Sequence, residues 1–136
     1  MERRDYLLRE IEKIGIVLQA ILNRLTGKGG NSAITLESSF EATREMLFNE
    51  TDFDLTGFLA MDKPASGEYL LRFRGMNTSN LGELAEILYL TGINEQTDRK
   101  RVLLDKAVLI YELCESMDKT YSIEREKRIK EIKSIP

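Results

Sequence analysis

One segment of the sequence has residue types and spacing that could do chemistry: Asp52-Phe-Asp-Leu-Thr-Gly57. Its two Asp and its Thr would take ligand positions 1, 3 and 5 of a calcium loop, with Gly at position 6. Position 12 of such a loop should be a bidentate Glu, but here it is Lys63, whose charge opposes calcium. We therefore expect no metal site, and we expect Asp52 or Asp54 to cap a short helix that ends near Met61.

The same segment contains the D-x-D-x-T pattern of haloacid-dehalogenase-type phosphatases, in which the first Asp is the nucleophile. In those enzymes the pattern stands at the end of a buried strand. Here Phe48-Asn-Glu-Thr51 precedes it, which is not an apolar strand, and nothing downstream suggests a parallel sheet. We therefore do not predict a phosphatase.

Composition excludes most other familiar catalytic sites. The chain has no His, which removes His-ligated metals and Ser-His or Cys-His catalysis, and its lone Cys114 lies in an apolar run. The acid pairs Glu83/Glu86 and Glu112/Glu115 have helical spacing and are interpreted as solvated faces. The sequence predicts no catalytic residue, no cofactor and no metal site. We therefore predict that the protein is not an enzyme, with a carboxylate-only active site as an alternative.

The charge distribution is uneven along the 136 residues, which we expect to form a single helical domain over 1–136. Residues 1–28 hold six basic and four acidic residues, residues 119–136 hold six and three, and the span between holds eight and sixteen. The weakly basic ends argue against nucleic-acid binding. No apolar run is long enough to span a bilayer, and acids interrupt the N-terminal stretch that resembles a signal peptide. We expect a cytoplasmic protein without a membrane partner.

Residues 2–26 are predicted to form one long helix, because apolar residues recur along it at steps of four and three. We call this line the heptad seam, and it consists of Leu7, Ile11, Ile14, Leu18, Ile21 and Leu25. The seam can pack inside its own domain or against a second copy, and both can hold if they use different faces of the helix. Because so long an apolar stripe is too large to leave in water, we expect part of it to form a homodimer interface, with Gly15 near the crossing.

The remaining helices follow from caps, glycines and apolar spacing, so the predicted fold class is all-α with six to seven helices. They are Thr35–Phe48, a short helix ending near Met61, Glu68–Arg74, Leu81–Thr91, Val102–Met117 and one that begins after Ser122. Gly27 should end the first helix in a flexible turn over residues 27–32, and residues 62–67 should form another turn. Asn80 with Glu83 should form a capping box, and Gly92 should close that helix.

The segment Val102–Met117 is apolar nearly all round. One side of it carries Leu103, Ala107, Ile110, Cys114 and Met117. A helix of this kind must be covered on several sides. We therefore predict that it is the most buried helix of the protein.

The two long helices that follow residue 80 resemble a tetratricopeptide hairpin. The first helix of that repeat is matched by Leu81, Leu84, Ala85, Leu88 and Gly92, and the A-x3-Y-x2-A of its second helix by Ala107, Tyr111 and Cys114. The connection departs from the repeat, since Gly92 and Ala107 are separated by fifteen steps rather than five. The resemblance implies tetratricopeptide-like helical hairpins packed on the long N-terminal helix, because a lone hairpin cannot bury its own core.

The two ends of the chain resemble a family of small, uncharacterised bacterial helical proteins. The motif R-x-D-Y-[IL]-x-R-x-I is matched by residues 3–11, and K-T-[FY]-S-x-E-R is matched by residues 119–125. The resemblance implies an all-helical fold and no particular activity. Both motifs contain a Tyr flanked by charges of both signs, which predicts a clasp where the first helix crosses the end of the central one. The predicted clasp, with a ligand pocket as the alternative, consists of Asp5, Tyr6, Arg9, Lys119, Tyr121 and Arg125.

We predict a small cytoplasmic interaction or scaffolding module that binds an unknown protein partner or forms a homodimer. The repeat-like hairpin, the heptad seam and the lack of a catalytic constellation favour this function. A nucleic-acid-associated accessory protein that uses the basic C-terminal helix is the alternative from a different class.

Overall fold

The structure, a computed structural model, describes residues 2–27, 39–119 and 122–136. Seven helices and no strand occur in these ranges, which confirms the predicted all-α class. The helices are α1 (Glu2–Thr26), α2 (Ser39–Thr51), α3 (Leu55–Leu59), α4 (Lys63–Leu71), α5 (Thr78–Ile93), α6 (Arg99–Asp118) and α7 (Ile123–Lys133). The turn expected after Gly27 and the expected start of the second helix at Thr35 lie outside the described residues.

α1 matches the predicted first helix and is followed by Gly27, whose positive φ of 75° is typical of a residue that ends a helix. Its middle is buried against the rest of the chain through Ile14, Leu18 and Ile21. A Cβ added at Gly15 would lie 3.1 Å from Oδ1 of Asn80 on α5. Gly15 therefore marks a close helix crossing, and its partner is α5 of the same chain.

α5 and α6 form the central hairpin, and α5 is the more enclosed of the two. Eight of the sixteen residues of α5 are buried, against seven of the twenty residues of α6. The prediction that residues 102–117 are the most buried is wrong in this respect, because Val102 and Met117 are exposed at the two ends. Gly92 was predicted to end its helix, but it lies inside α5. A Cβ at Gly92 would lie 3.0 Å from Leu104, so the glycine allows α5 and α6 to pack closely.

Aspartate caps set the starts of the two short helices. The Asp54 carboxylate accepts a hydrogen bond from the Gly57 N–H at 3.0 Å, which confirms the predicted cap of α3. Asp62 accepts one from the Ala65 N–H at 2.9 Å, so α4 begins at Lys63. The turn predicted over residues 62–67 is therefore the start of a helix, because an Asp cap followed by Pro favours helix initiation.

Asn77, rather than the predicted Asn80, caps α5. Its side chain accepts a hydrogen bond from the Asn80 N–H at 2.9 Å. Asn80 is buried, and its Nδ2 donates to the carbonyl oxygens of Gly75 at 2.7 Å and Ile11 at 3.0 Å. Asn80 thus ties α1 to the start of α5, and this tertiary role explains why it lies inside the helix.

Ile110 tests the position of the core, since it is fully buried on α6. Replacing Ile110 by Ala should lower the free energy of unfolding by about 2–5 kcal/mol, because apolar atoms are lost and a cavity remains. Urea denaturation followed by circular dichroism measures the change. Val102→Ala, at an exposed position of the same helix, is the control and should change stability by less than about 0.5 kcal/mol. A loss below about 1 kcal/mol for Ile110→Ala would contradict the described core.

Candidate functional site

A groove of about 660 Å³ lies between α5 and α7. The side of α5 that lines it carries Thr78, Ser79, Gly82, Glu83 and Glu86, whose spacing places them along one face of the helix. α7 contributes Glu124, Arg125, Lys127, Arg128 and Glu131, and further lining comes from Leu22, Tyr111, Asp118 and Ser122. We refer to this feature as the α5–α7 groove. Its lining is rich in charged groups of both signs.

An ion-pair network joins α7 to α5 and α6 at the α5–α7 groove. Arg128 donates two hydrogen bonds to the Glu86 carboxylate, at 2.6 and 3.1 Å, and one to Glu131 at 2.7 Å. The Tyr111 hydroxyl donates to Glu86 at 2.7 Å, and the Arg128 guanidinium lies 4.0 Å from the centroid of the Tyr89 ring. Because bidentate, charge-assisted hydrogen bonds are strong, this network holds α7 in place.

Sequence reasoning missed this network. It interpreted Glu86 as part of a solvated face, whereas the structure places Glu86 half-buried between Arg128 and Tyr111. Burial and the hydrogen bond to Glu86 raise the pKa of Tyr111, so its hydroxyl remains a donor at neutral pH. The only available signal was the single Tyr on an otherwise apolar face of α6, since a buried Tyr hydroxyl usually has a partner.

Other charged groups of the α5–α7 groove are incompletely paired. Arg125 donates to Asp118 at 2.8 Å, but its buried Nη1 has no hydrogen-bond partner within the described residues. The buried Oε2 of Glu83 also lacks a partner in that part of the chain. Burial raises the pKa of Glu83, because its charged form loses solvation. Unpaired buried groups of this kind cost stability and are frequent at functional sites.

Glu83 gives a prediction with a defined pH dependence. In the monomer, with the groove unoccupied, replacing Glu83 by Gln should raise the free energy of unfolding at pH 7 by about 0.5–1 kcal/mol, the usual gain from removing an unfavourable charge. The folded-state pKa is above 4.5, so the folded protein retains a proton that the unfolded chain has released. The contribution of Glu83 to stability therefore falls as pH rises from 4.5 through the folded pKa.

Urea denaturation of both proteins between pH 4 and pH 8 measures this effect. The advantage of Glu83→Gln should grow with pH and then level off. Glu50→Gln, at an exposed position on α2, is the matched control and should show no such growth. An advantage that is independent of pH, or the same growth in Glu50→Gln, would contradict the role of burial at Glu83.

A second group of residues with chemical potential is closed to solvent. Lys106 is only 6% exposed, and its Nζ donates hydrogen bonds to the Ser66 hydroxyl and, at 2.6 Å, to the Met61 carbonyl. Ser and Lys can act together as nucleophile and base in some enzymes. Here Ser66 is fully buried, and its hydroxyl donates to the Asp62 carbonyl at 2.7 Å. We therefore interpret Lys106 as an anchor that joins α6 both to α4, through Ser66, and to the α3–α4 connection, through Met61.

The residues predicted as a homodimer interface lie in different environments. Ile14, Leu18 and Ile21 are buried within the chain, Ile11 and Leu25 are half-buried, and Leu7 is exposed. The three buried side chains are already covered by the chain itself and are not available to a second copy. Leu7, at the N-terminal end, is the one exposed member of the heptad seam within the described structure.

The structure does not gather the predicted clasp residues. The Tyr6 ring lies beneath Arg74, whose guanidinium is 5.8 Å from the ring centroid. Arg125 pairs with Asp118 instead. The other described members, Asp5, Arg9 and Lys119, are exposed, and Tyr121 lies outside the described residues. Among the clasp residues that the structure describes, Arg125 alone lines the α5–α7 groove.

The segment considered for calcium serves as a helix connection, with Asp54 and Asp62 used as caps. Among the described residues, no three His, Cys, Asp or Glu side chains are grouped so as to hold a metal ion. None of the helices in the described ranges is both long and apolar enough to cross a membrane.

Comparisons of the chain with protein-family models, with curated proteins and with solved structures give no match. The structure therefore establishes the class, an all-α protein with a central α5–α6 hairpin.

Proposed function

We propose that this protein is a small cytoplasmic interaction module that binds a segment of a protein partner in the α5–α7 groove. The observation that carries the proposal concerns the three buried atoms without hydrogen-bond partners in the described part of the chain: two of them, Glu83 Oε2 and Arg125 Nη1, belong to the groove, and the third is Glu115 Oε1. Glu83 and Arg125 both line the groove. Folded proteins normally pair such atoms, because an unpaired buried group costs the free energy of its desolvation.

Both groove atoms are covered by neighbouring groups, so a ligand reaches them only when the two side chains turn toward the groove, and a polypeptide carries partners for both. Its backbone N–H donates to a carboxylate, and its carbonyl oxygen accepts from a guanidinium. The volume of about 660 Å³ lies in the usual range of binding clefts. The resemblance of α5 and α6 to a tetratricopeptide hairpin also supports this function, because repeats of that kind present surfaces that bind proteins.

The ion pairs of α7 weigh against the nucleic-acid alternative. Three of its basic side chains pair within the chain: Arg125 with Asp118, Arg128 with Glu86, and Lys130 with Glu126. Phosphate groups would have to displace these carboxylates before the helix could bind them. We expect weak, easily salt-eluted binding to heparin, and retention at physiological salt would favour the alternative.

Site-specific photocrosslinking in the native cells tests the proposal. Ser79 is an exposed residue of the α5–α7 groove, and replacing it with benzoylphenylalanine places a crosslinker there. We expect a discrete crosslinked polypeptide at this position. Thr56 is exposed on α3 and does not line the groove, so the same replacement at Thr56 is the control. A Ser79 position that yields no product beyond that of the control would contradict the proposed function.

A further inference from the structure

The first two turns of α1 form a second surface that the described chain leaves uncovered. Every residue from Arg4 to Arg9 is exposed, and Leu7 and Leu8 are 41% and 55% exposed. Arg4, Leu7, Leu8 and the half-buried Ile11 are spaced by three and four residues, so they share one face of the helix. α1 therefore extends beyond the helices that cover its middle. Its free end presents an apolar strip with one guanidinium.

The charges of this helix end and of the α5–α7 groove are opposite. Residues 2–9 contain three Arg and two acidic residues, a net charge of +1. The groove is lined by five acidic residues and three basic ones, a net charge of −2. The Oε2 atom of Glu83 has no hydrogen-bond partner among the described residues, and when this side chain turns toward the groove a guanidinium can supply one.

Gly82 gives the groove room for the close approach of another helix. A Cβ at Gly82 would meet no heavy atom within 4 Å in the described residues. Gly in a helix interior is destabilising relative to Ala, so its presence usually has a packing reason. Two other glycines have such a reason. A Cβ at Gly15 of α1 would lie 3.1 Å from Asn80 of α5, and a Cβ at Gly92 of α5 would lie 3.0 Å from Leu104 of α6. Gly82 faces open space in the groove instead, so the described chain offers no packing reason for it, and a helix that enters the groove would provide one.

We infer that the N-terminal end of α1 from a second copy of this chain occupies the α5–α7 groove. Leu7 and Leu8 of one copy pack over Gly82 of the other, and Arg4 pairs with Glu83. This inference rests on the proposed function, because it names the occupant of the same groove. With two-fold symmetry the exchange is reciprocal, so each copy gives one helix end and receives one. Both uncovered surfaces are then buried by a single association.

Sedimentation equilibrium of purified protein across micromolar concentrations tests the inference. We expect a concentration-dependent dimer. Leu8→Asp should weaken dimerisation by about tenfold or more, the effect of losing an important interface contact. Gly82→Ala should weaken it similarly while raising the melting temperature of the monomer, because Ala favours the helix.

Gly67→Ala is the matched control for Gly82→Ala. Gly67 also lies inside a helix with no heavy atom near an added Cβ among the described residues, but it does not line the groove. This change should raise the melting temperature and leave the dimer dissociation constant unchanged. Equal effects of the two glycine substitutions on dimerisation would overturn the inference, as would a monomer at every concentration.

Mixing the two defective variants adds a test that no general loss of stability can imitate. The Leu8→Asp protein keeps an intact groove, and the Gly82→Ala protein keeps an intact helix end. Their mixture should form heterodimers that dissociate less readily than either homodimer, because one of the two contacts is intact and the two defects in the other affect the same Leu8–Gly82 packing, so their costs are less than additive. A mixture without preferential heterodimers would overturn the inference. A monomeric protein whose Ser79 crosslinker still captures a different protein would reject the second copy and leave the proposed function standing.

Discussion

Replacing Leu18 by Glu should unfold the protein rather than separate two copies of it. Leu18 is 1% exposed in the middle of α1 and packs into the core. A carboxylate placed there without a partner is expected to cost roughly 3–5 kcal/mol or more. This is a large part of the stability of an ordinary small domain, about 5–15 kcal/mol. Circular dichroism at 25 °C should show loss of helix or a much lower melting temperature.

Ile16→Glu is the matched control for this change. Ile16 lies two residues away on the same helix and is 64% exposed, so the same carboxylate would remain in water. It should change stability by no more than about 0.5 kcal/mol. A Leu18→Glu protein that stays folded with an unchanged melting temperature would show that the middle of α1 is not covered as described.

The second large effect is expected at Lys106, whose ammonium group holds α6 to Met61 and Ser66. Lys106→Ala should lower the free energy of unfolding by about 2–4 kcal/mol, because it removes charge-assisted hydrogen bonds and leaves a cavity. Lys106→Met keeps most of the side-chain volume and should cost less, about 1–2 kcal/mol. Lys63→Met, at an exposed position, is the control for loss of a positive charge. Equal stability of wild type and Lys106→Ala would contradict the anchor.

Lys106 also has a characteristic pH dependence. Burial lowers its pKa below 10.5, with Asp62 opposing the shift. Just below pH 10.5 the unfolded chain therefore binds more protons than the folded protein, so the contribution of Lys106 to stability rises with pH there. This pH-dependent gain is lost as pH falls through the folded-state pKa, whereas the hydrogen bonds and packing of the side chain remain. Because the raised pKa of Tyr111 acts in the opposite direction above pH 10, the informative quantity is the difference between wild type and Lys106→Met.

The sequence was sufficient for most of the local structure. Spacing within one or two helical turns predicts helix α1, the caps Asp54 and Ser122, and the buried positions Ile110 and Cys114. Such patterns depend on neighbours along the chain, so no knowledge of the fold is needed to read them. Met117 was expected on the same buried side but is 41% exposed in the last turn of α6.

The groove was not predictable, because its contacts join residues that are distant in sequence. Glu86 and Arg128 are 42 residues apart, and nothing in the local pattern of either one indicates the other. The choice between Asn77 and Asn80 as a cap shows the same limit. Both have the right residue type, but only Asn80 has carbonyl acceptors on Ile11 and Gly75 that hold its side chain inside the fold.

The buried thiol of Cys114 is a built-in probe of local opening in this protein. Cys114 is the only cysteine of the chain, and its Sγ donates a weak hydrogen bond to the Thr78 carbonyl at 3.6 Å, beside the α5–α7 groove. Burial raises the pKa of this thiol, so little reactive thiolate exists at neutral pH. A thiol reagent can therefore modify Cys114 only during moments when the start of α5 separates from α6. The labelling rate therefore reports the free energy of that local opening. A ligand in the α5–α7 groove that holds the two helices together should lower the labelling rate.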